Sequence, residues 1–159
     1  MTEKKLKYLQ YLEMFKDCPS SDFKEVDRDA YRWTRNPVTS NDFIPMNIIS
    51  EPPPRMLDDS DKMCMGYGLS MFDSLKNSFE KYRKLHQNFR PHQREQFIQD
   101  KGSFIALVSL SKNDGLADDP NPDNFGHFTF HEYYQAELVN KVSNLYYIFL
   151  DNGEINIQY

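Results

Sequence analysis

The sequence predicts a single mixed α+β domain of about five strands, and three stretches carry that reading. SFIALVSL at Ser103–Leu110 is an almost unbroken apolar run of strand length, the pattern of a strand covered on both faces. In the stretch that follows Ser70, Phe72, Leu75, Phe79 and Tyr82 recur at three- and four-residue steps, with Asp73, Lys76, Asn77, Glu80, Lys81 and Lys84 between them, the signature of an amphipathic helix. At the C-terminus, LYYIFLDNGEINIQY places Asn152 and Gly153 between two strand-like runs, where a tight hairpin turn needs residues that tolerate positive φ.

In chain order, Glu3 to Phe15 comes first. Leu6, Leu9, Leu12 and Phe15 repeat every three residues, which predicts an N-terminal amphipathic helix stopped by Pro19 and docked on the sheet. Ala30 to Thr34, AYRWT, reads as a strand with Tyr31 and Trp33 on one side and Arg32 on the other. Residues 36–62 contain Pro37, Pro45 and Pro52 to Pro54, so they are expected to form a long covering loop. Phe43, Ile44, Met46, Ile48 and Ile49 lay part of it on the core, with Arg55 to Lys62 looser.

Cys64 to Leu69 is expected to be a short strand, and Ser70 to cap the central helix, because Asp73 stands at capping-box spacing from it. Pro91 and Gly102 bracket a second helix anchored by Phe97 and Ile98. NDGLADDPNPDNFG reads as a solvated loop, since its acids lack the order of a calcium-binding loop. HFTFHEYY alternates, with His127, Thr129, His131 and Tyr133 on one face and Phe128, Phe130, Glu132 and Tyr134 on the other. Residues 135–143 suit a helical turn or two through Leu138 and Val142.

Composition bounds the function. In 159 residues, 39% are hydrophobic and 27% charged, with 12 Phe and 10 Tyr, so one domain with an aromatic-rich core is expected. The net charge of −5 disfavours a general polyanion binder, since phosphate neutralisation dominates such affinity. Lys81, Arg83, Lys84, Arg90 and Arg94, interleaved with Phe79, Tyr82 and Phe89, are balanced by Glu80 and Glu95 and read as a solvated helix face. No run is long and apolar enough for a membrane span, and the charged start is unlike a signal peptide, which gives a cytoplasmic expectation. Cys18 and Cys64 are too few for a disulfide framework and are expected to be thiols.

Chemistry-bearing residues are few. On a strand, His127 and His131 lie about 13 Å apart, too far to share one metal, so no metal site is assigned. Cys64 beside a histidine would make a thiol nucleophile, but a small buried residue is the simpler reading. The remaining set is Arg32 on an early strand, Ser70 before a helix and Glu132 on a late strand, with GYGLSMFDSLKNSF around the serine. That order resembles the Arg, Ser, Glu pattern of the ADP-ribosyltransferases. The resemblance covers three short segments; the family's usual Ser-Thr-Ser is absent, and Phe130 stands where a Glu or Gln two residues before Glu132 would be expected. It implies an NAD-handling transferase in which Arg32 and Ser70 help bind the cofactor, Glu132 assists attack at the ribose, and Tyr67 or Phe72 packs on a ring. The residues themselves give no complete catalytic set and no cofactor. They point to a non-enzymatic binding or accessory module acting through a protein partner.

Overall fold

A computed structural model describes residues 4–159. Seven strands form one antiparallel sheet: β1 (Arg28–Thr34), β2 (Leu69–Phe72), β3 (Phe104–Leu110), β4 (Gly115–Ala117), β5 (His127–Glu132), β6 (Val142–Asp151) and β7 (Glu154–Gln158). Their spatial order is β4-β5-β2-β1-β3-β6-β7. Five helices accompany them: α1 (Leu9–Leu12), α2 (Met46–Ile49), α3 (Ser60–Gly66), α4 (Leu75–Asn88) and α5 (Arg94–Lys101). The α+β class holds, but the described residues form seven strands rather than about five. One of the extra strands, β4, lies inside NDGLADDPNPDNFG, where Gly115, Leu116 and Ala117 pair with Glu132, His131 and Phe130. Three residues carry too little pattern to announce an edge strand.

Strand alternation divides the core into two faces. Tyr31, Trp33, Ile105, Ile148 and Ile155 pack beneath Tyr82 of α4 and Phe97 of α5. On the opposite face, Ala30, Leu69, Met71, Ala106, Val108, Phe128 and Phe130 pack with Phe43 and Leu138. Each fully buried aromatic or aliphatic side chain contributes about 1.5–3 kcal/mol of transfer free energy, so the aromatic-rich composition is spent here. The SFIALVSL strand is interior, paired with β1 on one side and β6 on the other. The C-terminal hairpin forms as expected, with φ of 53° at Asn152 and 78° at Gly153. Gly102 ends α5 at φ 86°, and a Cβ there would lie 2.1 Å from the Thr34 carbonyl oxygen, so only glycine fits.

The central helix begins later than expected. Ser70 lies within β2, and it is Ser74 that caps α4 by accepting a hydrogen bond from the Asn77 N–H at 3.1 Å. Pairing with β5 takes Ser70 into the ladder, which outweighs its local capping spacing. Replacing Ser74 by Ala is therefore expected to cost about 1 kcal/mol. Replacing Ser70 by Ala removes no cap; it breaks the hydrogen bond between its exposed hydroxyl and His127 Nε2, at about 0.5–1 kcal/mol. Amide hydrogen exchange separates the two: exchange at the Asn77 N–H should rise in the Ser74 variant and stay unchanged in the Ser70 variant, and the reverse would move the helix start back to Ser70.

The segment before β2 also departs from expectation. Cys64 to Gly66 belong to α3 rather than to a strand, and the covering segment 36–62 carries short helical turns at Ser40–Phe43, Met46–Ile49, Pro54–Met56 and from Ser60, joined by non-helical stretches. Thr39 and Asp42 form a capping box over the 3-10 turn Ser40–Phe43, and Asp59 caps α3 by accepting from the Lys62 N–H. Prolines at turn starts are compatible with such one-turn helices, because their missing N–H is unpaired there anyway. Arg55 to Lys62 are accordingly helical turns, not a loose stretch.

The N-terminal helix shrinks to one turn. Glu3 lies outside the described residues. Lys7 N–H donates to the Glu132 carbonyl and Tyr134 N–H to the Lys5 carbonyl, so the chain pairs with the end of β5 before it can wind. Leu12, Tyr11 and Phe15 then pack with Met63 and Tyr67, and Tyr11 stacks on Tyr67 at 5.1 Å. Beside them, Cys18 and Cys64 form a disulfide with Cα atoms 5.7 Å apart, correcting the expectation of two thiols. Sequence alone does not bring positions 46 residues apart together.

Candidate functional site

Strands β1 and β2 pair only at Tyr31 and Phe72. Arg32, the next residue of β1, occupies the gap where they part. Its Nη1 donates to the Ser70 carbonyl oxygen at 2.8 Å, and its Nε donates to the Asp42 carbonyl oxygen at the same distance. Burial pulls the Arg32 pKa down to about 10, opposed by Glu132 and Asp42, so the guanidinium stays cationic at neutral pH. Asp42 is itself buried, its carboxylate accepting from the Arg35 and Thr39 N–H groups.

A cleft of about 400 Å³ opens beside this gap, over β2 and β5. Trp33, Phe72, Ser70, His127 and Thr129 line its floor. Trp33 stacks on Phe72 at 5.2 Å, and His127 meets Phe72 edge-on at 5.5 Å. Ser70 Oγ and His127 Nε2 lie 2.6 Å apart in a hydrogen bond. The His127 pKa is lowered, first by burial and then by the Lys81 charge, so the ring is neutral near pH 7. The walls come from α2, α3 and the end of α5: Met46, Ile49, Met65, Lys62, Asp100 and Lys101. Arg35 lies at the rim and donates through Nη2 to the Gln99 and Asp100 carbonyls that end α5.

The three residues of the Arg, Ser, Glu pattern are not brought to one place. Arg32 and Ser70 meet at the cleft, through the serine's carbonyl. Ser70 faces Thr129 across the ladder, so alternation along β5 puts Glu132 on the opposite side of the sheet. There it pairs with Lys7 Nζ at 2.8 Å, and its Oε1 has no hydrogen-bond partner among the described residues. Burial raises its pKa, opposed by Lys7 and Arg32. Tyr67 is also absent from the cleft, since its ring is buried against Tyr11. His131 is buried beside Phe23, at 5.2 Å, and beneath Gly68, with Nε2 unpartnered among the described residues. Burial pushes its pKa down to about 4. No three His, Cys, Asp or Glu side chains among the described residues are grouped to hold a metal.

Sequence reasoning missed the Ser70–His127 contact and the lining by Thr129, Arg35, Lys62 and Lys101. The contact depends on β2 pairing with β5, a partnership no local pattern states. Three residues of the basic stretch from Lys81 to Arg94 are engaged within the chain: on α4, Lys81 Nζ donates to Asn124 Oδ1 and Arg83 pairs with Glu80, and Arg94, which begins α5, donates to the carbonyls of His86 and Phe89. No helix among the described residues is long and apolar enough to cross a membrane. No family model matches the chain, and neither a curated protein nor a solved structure matches it.

Proposed function

We propose that this protein is a non-enzymatic binding module, an accessory or regulatory subunit that engages a protein partner through the cleft beside Arg32. The observation that carries the reading is the composition of the walls. Met46, Ile49 and Met65 line the cleft yet remain 55%, 62% and 47% exposed. Grouped apolar exposure around a concave site with a polar floor suits a contact surface, and methionine adapts readily to a partner's shape. A cytoplasmic setting would require the Cys18–Cys64 bond to persist against cellular reductants, so the disulfide favours an oxidising environment for the bound state.

A second reading is an NAD-dependent transferase. It is favoured by Arg32 joined to the Ser70 carbonyl at the edge of a floor of Trp33 and Phe72. It stands second because Glu132 is on the other face, tied to Lys7.

One experiment separates the two. A photo-crosslinking residue placed at Met46 should capture a host protein, whereas the same residue at the exposed Tyr134, which does not line the cleft, should not. NAD added to millimolar levels should leave the melting temperature unchanged. Equal yields from both positions would sink the cleft as a contact surface. A melting shift that Arg32→Ala abolishes would replace the binding reading with the transferase one.

A further inference from the structure

We propose that the occupant of the cleft is a linear acidic segment of a partner protein, in which an aspartate or glutamate is flanked by apolar side chains. This rests on the reading of the cleft as the contact surface. The argument starts from charge. The chain carries −5 overall, yet the lining combines four cations, Arg32, Arg35, Lys62 and Lys101, with only two carboxylates. Both carboxylates are engaged: Asp42 accepts from two backbone N–H groups and pairs with Arg35 Nη1 at 3.7 Å, and Asp100 accepts from Gln96 Nε2 at 2.7 Å, so the unbalanced charge is that of Arg32, Lys62 and Lys101. Lys62 and Lys101 have no ion-pair partner among the described residues. A cleft that concentrates positive potential on an acidic molecule selects and steers an anionic ligand.

The apolar walls narrow the class. A phosphate-rich polymer would match the lysines but would leave Met46, Ile49 and Met65 against a charged backbone. An acidic segment with apolar neighbours meets both demands, its carboxylate reaching Lys62 and Lys101 while its apolar side chains cover the walls. On the floor, Ser70 Oγ and His127 Nε2 share a hydrogen bond; in the tautomer with the proton on Nε2 the ring donates to Oγ, which leaves the exposed hydroxyl's own proton free for a carboxylate that enters. The volume, about 400 Å³, suits a few side chains rather than a folded element.

The test is selection of random short peptides displayed on phage against the full chain. It is run in parallel on the double variant Met46→Lys/Ile49→Lys and on Lys62→Glu/Lys101→Glu, with melting curves to show that each variant folds. The expected result is enrichment of sequences with Asp or Glu beside Leu, Ile, Met or Phe. Their binding should be lost in the first variant, weakened about tenfold in the second, and reduced by added salt. Enriched peptides that need Met46 and Ile49 but are neutral or basic would overturn the acidic class and leave the cleft reading standing. Peptides that bind the first variant as well as the parent would overturn both. Failure to enrich any peptide would remove a linear segment as the occupant.

Discussion

Removing the Cys18–Cys64 bond is expected to lower stability by about 4 kcal/mol. The two cysteines are 46 residues apart in sequence, and closing a loop of that length in the unfolded chain removes entropy worth about that much at room temperature. The bond joins the segment after α1 to α3, and the cluster around it is small, with Leu12, Met63 and Tyr67 as its buried members. Few other contacts replace the tether. Cys18→Ala, Cys64→Ala and the double variant should all lose the same amount, because either change opens the same loop, and a reductant should bring the parent to the same urea midpoint. Single losses that add in the double variant, or a loss below about 1 kcal/mol, would mean that packing rather than the cross-link holds this region. Because α3 also carries Lys62 and Met65, the same variants should bind the selected peptides less tightly than the parent does.

What the sequence made legible, and what it hid, follows from the range of each interaction. The hairpin at Asn152–Gly153, the apolar strand β3 and the helix between Pro91 and Gly102 are dictated by residues within a few positions of one another, and all three form. Ser70 shows the limit. Its spacing to Asp73 satisfies a local capping rule, but a ladder with Thr129, contributed from far along the chain, decides its conformation. The N-terminal repeat of Leu6, Leu9 and Leu12 fails likewise, because Leu6 bridges Tyr133 and the segment is drawn into the sheet. Of the candidate site, Arg32 was legible as the residue opposite Tyr31 and Trp33. Its partners were not, since the carbonyl of Ser70 and that of Asp42 are backbone groups whose positions no side-chain pattern reports. The lysines of the rim were invisible for a similar reason: each is an ordinary helix residue until α3 and the end of α5 are placed beside the same strands.

Stability is expected to fall by about 3 kcal/mol on acidification from about pH 7 to about pH 4, with His131 as the main cause. The ring is buried against Phe23 and beneath Gly68, and its pKa is depressed from 6.5 to about 4 because burial disfavours the imidazolium. In the unfolded chain the same residue takes a proton near pH 6.5, so between the two values the unfolded state binds more protons than the folded one. Stability is therefore fully present above pH 6.5 and is lost as the pH falls toward 4, at about 1.4 kcal/mol for each unit of separation. His127 and His86, also lowered by burial, act in the same direction. Glu132 acts in the opposite one: its raised pKa lets the folded state take up a proton first, which offsets part of the loss at the acid end. Thermal melts across this range check the sum, and His131→Phe isolates the main contributor. That variant keeps an aromatic ring beside Phe23 and removes an Nε2 that has no hydrogen-bond partner among the described residues. Its melting temperature should change with pH distinctly less than that of the parent. Parallel curves would show that His131 is hydrated and titrates normally, and His131→Gln, which keeps a polar side chain without the titration, distinguishes that outcome from a repacked core. The sheet geometry extends the consequence to the cleft. Thr129, on the cleft floor, stands two residues from His131 on the same face of β5, and the Gly68 backbone, which also lines the cleft, packs against both side chains, so a proton forced onto this ring disturbs the cleft floor from its edge. Peptide binding should consequently weaken at a pH where the chain is still folded.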